Sequence, residues 1–96
     1  MTDILIREVD DAIAERLRQV EEAEAFLRRV GVIGDLRVRH LGTAAQVETA
    51  TSQHPLLRDR WSEVETVMLG LGFERVELDP EGYRRGRLLA LAPSPS

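Results

Sequence analysis

Apolar residues along the chain fall into two helical stripes and several short alternating runs. Ile13, Leu17, Val20, Leu27 and Val30 recur at helical spacing, with Arg16, Arg18, Glu21, Glu22, Arg28 and Arg29 mostly on other faces. Asp10 and Asp11 bring capping oxygens and a charge suited to a helix start, and Gly31 suits its end. The pattern predicts a helix over residues 10–30. A second stripe of Leu57, Trp61, Val64, Met68 and Leu71 follows Pro55, which fits a first helical turn, and ends at Gly70 and Gly72.

Between the helices, residues 36–40 and 45–49 alternate apolar and polar side chains, separated by Leu41-Gly42-Thr43-Ala44, which predicts an antiparallel hairpin. Phe73 to Asp79 alternates again as a third strand, Pro80-Glu81-Gly82 makes a turn, and Leu88 to Leu91 suits a short edge strand. The run Ile4-Leu5-Ile6 admits two readings, a strand or a docking arm. With a strand at Ile4–Glu8 the order is βαββαβ, a ferredoxin-like arrangement; without it, a truncated three-stranded version. Either is a two-layer α+β fold with two helices packed on one face of an antiparallel sheet. The expected organisation is a single domain over 1–91 and a disordered tail over 92–96, with Met1 and the Pro/Ser-rich tail reading as natural termini.

Composition narrows the function classes. A chain of 96 residues holds one modest core, and an apolar fraction of 43% with 31% charged residues is ordinary for a globular domain. A net charge of -4 argues against bulk nucleic-acid binding but leaves room for a local basic patch. All 13 basic residues are Arg, which fits GC-rich coding as well as selection for bidentate anion recognition. With no cysteine, the chain has no disulfide, thiolate metal site, iron–sulfur cluster or thiol nucleophile of its own. No apolar run approaches the ~20 residues of a membrane span. The acidic start lacks the features of a signal peptide, so a cytoplasmic location is expected, with neither nucleic acid nor membrane as partner.

Strand periodicity turns these elements into surface chemistry. If helices cover the face bearing Val38, Val47, Val76 and Leu78, the other face presents Arg37, Arg39, Gln46, Glu48, Arg75, Glu77 and Asp79. That face reads either as a solvated surface of cross-strand Arg–Glu pairs or as an anion and nucleotide-phosphate platform, with Arg37 and Arg39 side by side. His40 and His54 lie on different segments without metal-site spacing, and Trp61 belongs to an apolar stripe. The glycines follow no phosphate-loop pattern, and a Walker lysine cannot occur without Lys. Nothing in the spacing offers a catalytic constellation.

Two segments carry a family resemblance. Residues 15–31 with Leu36-Arg37-Val38-Arg39-His40-Leu41-Gly42, and the run Leu71-Gly72-Phe73-Glu74-Arg75-Val76-Glu77-Leu78-Asp79-Pro80-Glu81-Gly82-Tyr83-Arg84-Arg85-Gly86-Arg87-Leu88, resemble the C-terminal portion of the ATP-dependent sacrificial sulfur transferases, the LarE family. The resemblance runs from about Glu8 to Leu88. In that family a PP-loop domain adenylylates a carboxylate, a cysteine donates sulfur, and the C-terminal domain supports oligomerisation and contributes ligands. This chain has neither the glycine-rich PP-loop nor a cysteine, so the resemblance implies a non-catalytic binding or oligomerisation domain. It would complete or regulate a separate PP-loop (ATP pyrophosphatase) partner, or form a homo-oligomer. The matching positions make Arg37 and Arg39 the implied phosphate ligands. Glu24 and Glu48 become the implied carboxylates for a divalent ion such as Mg²⁺, supplied with a nucleotide by the partner. No cofactor is required by the chain itself. The alternative is a structural self-associating module without ligand, using the charged sheet face or an exposed sheet edge.

Overall fold

In a computed structural model, which describes the backbone of residues 2–83 and the side chains of residues 10–83, the first helix is longer than the sequence pattern predicts. Helix α1 spans Thr2–Val30. The alternative strand at Ile4–Glu8 is therefore incorrect, because those residues are in the first turns of α1. No Gly or Pro interrupts residues 2–30. Asp10 and Asp11 cost a helix interior only about 0.7 kcal/mol each or less, too little to start a new element there. At the other end the Gly31 amide reaches the Arg28 carbonyl at 3.1 Å and the Val32 amide reaches the Leu27 carbonyl at 3.1 Å. That pair of bonds, with Gly31 at φ 121°, closes the helix and turns Val32 back into the core.

Strands β1 (Leu36–His40) and β2 (Ala44–Thr49) form the expected antiparallel hairpin, with Arg37 opposite Glu48 and Arg39 opposite Gln46. The second predicted helix is two: α2 (His54–Asp59) and α3 (Trp61–Leu71), broken at Arg60, whose φ of -107° and ψ of 15° leave the helical region. A short 3₁₀ turn over Thr51–Gln53 leads into α2. The amide of Arg60 still reaches Leu56, so one apolar stripe runs through the break, and Leu57, Val64 and Met68 are fully buried.

Strand β3 (Arg75–Leu78) pairs with β2 in parallel, Ala45 beside Val76 and Val47 beside Leu78. The expectation of an all-antiparallel sheet is thus corrected to a mixed one in the order β1-β2-β3. The cause is topological. Helices α2 and α3 carry the chain back along the sheet, so the next strand must run in the direction of β2, as in any strand–helix–strand crossover. Among the described residues the sheet has three strands, with mixed α and β content; the edge strand expected at Leu88–Leu91 and the tail at 92–96 lie outside those residues.

All helices pack on one side of the sheet. The core joins Ala23 and Leu27 of α1, Leu57 of α2, and Val64 and Met68 of α3 to Val38, Ala45 and Val47 of the strands, with Val32 and Phe73 closing its ends. Trp61 is half-buried against this cluster, as its place on the stripe predicts. No helix among the described residues is long and apolar enough to cross a membrane.

Candidate functional site

The pleat of β1 and β2 sets the candidate site. Register pairs place Arg37, Arg39, Gln46 and Glu48 on the face away from the helices, and the β2–β3 register adds Arg75 and Glu77 beside them. Period-2 reading of the sequence thus brings the right residues together. Arg37 and Arg39 stand two residues apart on one strand, about 7 Å along it, close enough for both guanidinium groups to address one phosphate.

The face is not the uniformly solvated surface that alternation suggests. Glu48 is only 1% exposed, on the central strand, while Arg37, Arg39, Gln46 and Glu77 are half-buried. Arg39 Nη1 lies 3.6 Å from Glu48 Oε2, a diagonal cross-strand ion pair. Arg75 Nε donates to Glu77 Oε2 at 2.9 Å on β3. Two of the three arginines on the face are therefore engaged by carboxylates. Arg37 has no ion pair among the described residues, although its direct cross-strand partner is Glu48. Asp79 also departs from expectation. It lies beyond β3, is buried, and its carboxylate accepts the Glu81 amide at 3.0 Å to shape a turn.

Glu24 is occupied elsewhere. Its Oε2 accepts the backbone amide of Val38 at 2.9 Å, at the outer edge of β1. It reaches that edge from α1, on the helix side, whereas Glu48 projects from β2 on the opposite face. The structure does not bring the two expected metal carboxylates together, and no group of three or more His, Asp or Glu among the described residues is placed to hold a metal ion.

Two features escaped the sequence reading. His40 Nδ1 accepts the Gly42 amide at 3.1 Å, which fixes the proton on Nε2, and Nε2 donates to Gln19 Oε1 at 2.8 Å. Gln19 Nε2 then donates to the Leu71 carbonyl at 2.9 Å. This chain ties the β1–β2 turn to α1 and the end of α3, and the His40 ring packs on Phe73 with centroids 5.0 Å apart. Burial, with a smaller contribution from the Arg16 charge, lowers the His40 pKa from its ordinary 6.5. The other feature is an open cleft of about 390 Å³ lined by Arg58, Trp61, Val76, Glu77, Leu78 and Pro80, at the β3 side of the sheet. Neither has a local sequence signature, since each needs residues from separate elements.

Compared with models of known protein families and with curated proteins, the chain matches none.

Proposed function

We propose that this domain is a non-catalytic binding module whose β1–β2 face receives a phosphate-bearing ligand, completing or regulating a site on a separate PP-loop protein. One observation carries the ligand half of this reading. The other two arginines of the face, Arg39 and Arg75, pair with Glu48 and Glu77, while Arg37 has no ion pair among the described residues and adjoins Arg39 on the same face. A half-buried guanidinium that makes no ion pair among the described residues keeps donors for an incoming anion, and the neighbouring arginine supplies a second set. The partner half rests on the resemblance of residues 8–88 to a sulfur transferase C-terminal domain, in which the matching arginines meet phosphate. A magnesium ion enters only as the counter-ion of a nucleotide, since Glu24 is engaged by Val38. Self-association through the β1 edge is the weaker reading, because the Val38 amide on that edge already has its acceptor.

The test is thermal stabilisation by ATP, AMP and inorganic phosphate. A ligand at about 100 times its Kd adds about 2.7 kcal/mol of stability, several degrees for a domain of this size. Arg37→Ala is expected to abolish the shift while leaving the ligand-free melt within about 0.5 kcal/mol of the parent. Arg39→Ala is expected to lower both, because it also removes the ion pair of buried Glu48. An equal shift in the parent and in Arg37→Ala contradicts the proposal.

A further inference from the structure

Three consecutive residues of β3 border one cleft. Val76, Glu77 and Leu78 all line the opening of about 390 Å³, together with Arg58, Trp61 and Pro80. Successive side chains of a strand point to opposite faces, so a hollow on one face would take Val76 and Leu78 without Glu77. The cleft therefore wraps the edge of the strand. That edge is open: β3 ends the order β1-β2-β3, and among the described residues only β2 pairs with it. Main-chain donors and acceptors along such an edge form a template for one more strand.

The walls select what that strand carries. Trp61, Val76 and Leu78 are half-buried, pack against the core on their inner sides, and give the cleft an apolar wall. Of its two charged side chains, Glu77 is held by Arg75 at 2.9 Å. Arg58, exposed in the last turn of α2, makes no ion pair among the described residues, where Arg18, Arg39, Arg60 and Arg75 do. We propose that the β3 edge binds an extended peptide of another protein as a fourth strand. An aliphatic side chain of that peptide enters the cleft against Trp61, and a carboxylate of the peptide meets Arg58. The backbone ladder supplies affinity and the alternate side chains supply selectivity, while the guanidinium offers a carboxylate paired donors. An apolar acid of small size would use the walls and Arg58 but leave the strand edge unused. The site is separate from the anion face, since Arg37 and Arg39 lie on β1, at the other edge of the sheet.

Trp61 is the single tryptophan of the chain, so its fluorescence reports on the cleft directly. The full chain is titrated with an N-acetylated, C-amidated peptide of alternating valine and threonine that ends in aspartate. A saturable change is expected. The same peptide with lysine for aspartate should bind the parent about tenfold more weakly, and Arg58→Glu should reverse that preference. Arg58→Gln, which removes the charge without inverting it, should bind both peptides alike. Two N-methylated forms of the aspartate peptide, one for each alternate set of amides, should differ by about tenfold or more, because only one set faces β3. Arg37→Ala should change none of these affinities by more than about twofold, which separates this site from the anion face. Circular dichroism confirms that each variant is folded. No saturable change, binding indifferent to both Arg58 variants, or equal binding of the two N-methylated forms overturns the proposal. So do nuclear Overhauser contacts pairing the β3 edge with Leu88–Leu91 or with a second copy.

Discussion

Glu24 has a role in the fold that the sequence does not show. The family resemblance implies a helix carboxylate for a divalent ion there; in the fold Glu24 Oε2 accepts an edge-strand amide. The packing of α1 against β1 brings this oxygen to the Val38 amide, and no local pattern encodes that packing. Its removal leaves the Val38 amide without its partner, so Glu24→Ala is expected to cost roughly 1–3 kcal/mol in urea unfolding. Glu24→Gln keeps a carbonyl acceptor and should cost less than half as much. A metal role predicts the reverse, a loss of divalent-ion stabilisation in both variants with little change in the ion-free melt.

At the same scale, His40 makes stability depend on pH. Its folded pKa lies below the ordinary 6.5, so near that pH the unfolded chain binds more protons than the folded one. The contribution is fully present above 6.5 and is lost as pH falls through 6.5 toward the folded pKa. A second proton on the ring would also displace the Gly42 amide from Nδ1. The expected result is a melting temperature that declines between pH 7.5 and pH 6 more steeply for the parent than for His40→Gln. An NMR titration of the His40 ring should give a pKa below that of an unfolded peptide.

Among the elements, what the sequence makes legible is what depends on one period. The alternation of Arg37, Val38 and Arg39 fixes the two faces of β1, and the stripe from Leu57 to Leu71 fixes the buried side of α2 and α3. The break at Arg60 has no Gly or Pro to announce it, and the parallel pairing of β3 follows from the return path of the helices, not from the strand. Likewise the exposed apolar face of α1 reads in sequence as ordinary core, because periodicity records that a face is apolar but not what covers it. The turn after β3 is the most constrained junction. Gly82 sits at φ 81°, and a Cβ there would lie 2.6 Å from the Thr49 carbonyl oxygen, which itself accepts the Tyr83 amide at 2.8 Å. Backbone cannot yield cheaply at such a contact, so Gly82→Ala is expected to destabilise by about 2–3 kcal/mol, seen as a shift in the urea midpoint. An alanine variant that melts with the parent would show that this turn is not held as described.

As a whole, the molecule has two faces that its own core does not use. One is the sheet face, where Glu48 is buried, Arg39 pairs with it, and Arg37 makes no ion pair among the described residues. The other is on α1, where Ile13 and Leu17 are exposed. These lie on different elements, the sheet and α1. The partner proposed for the first face rests on the resemblance of residues 8–88 to a sulfur transferase C-terminal domain, which says nothing about the second.

The claim at the centre of this account is that the anion site is the β1–β2 face. It is tested most directly by titrating the isotopically labelled full chain with ATP and following backbone amides by NMR. The account predicts saturable shifts concentrated at Arg37, Val38 and Arg39 and at Gln46 to Glu48, abolished by Arg37→Ala. Shifts confined to the cleft around Arg58 and Trp61, or no saturable shifts at any residue, would contradict it.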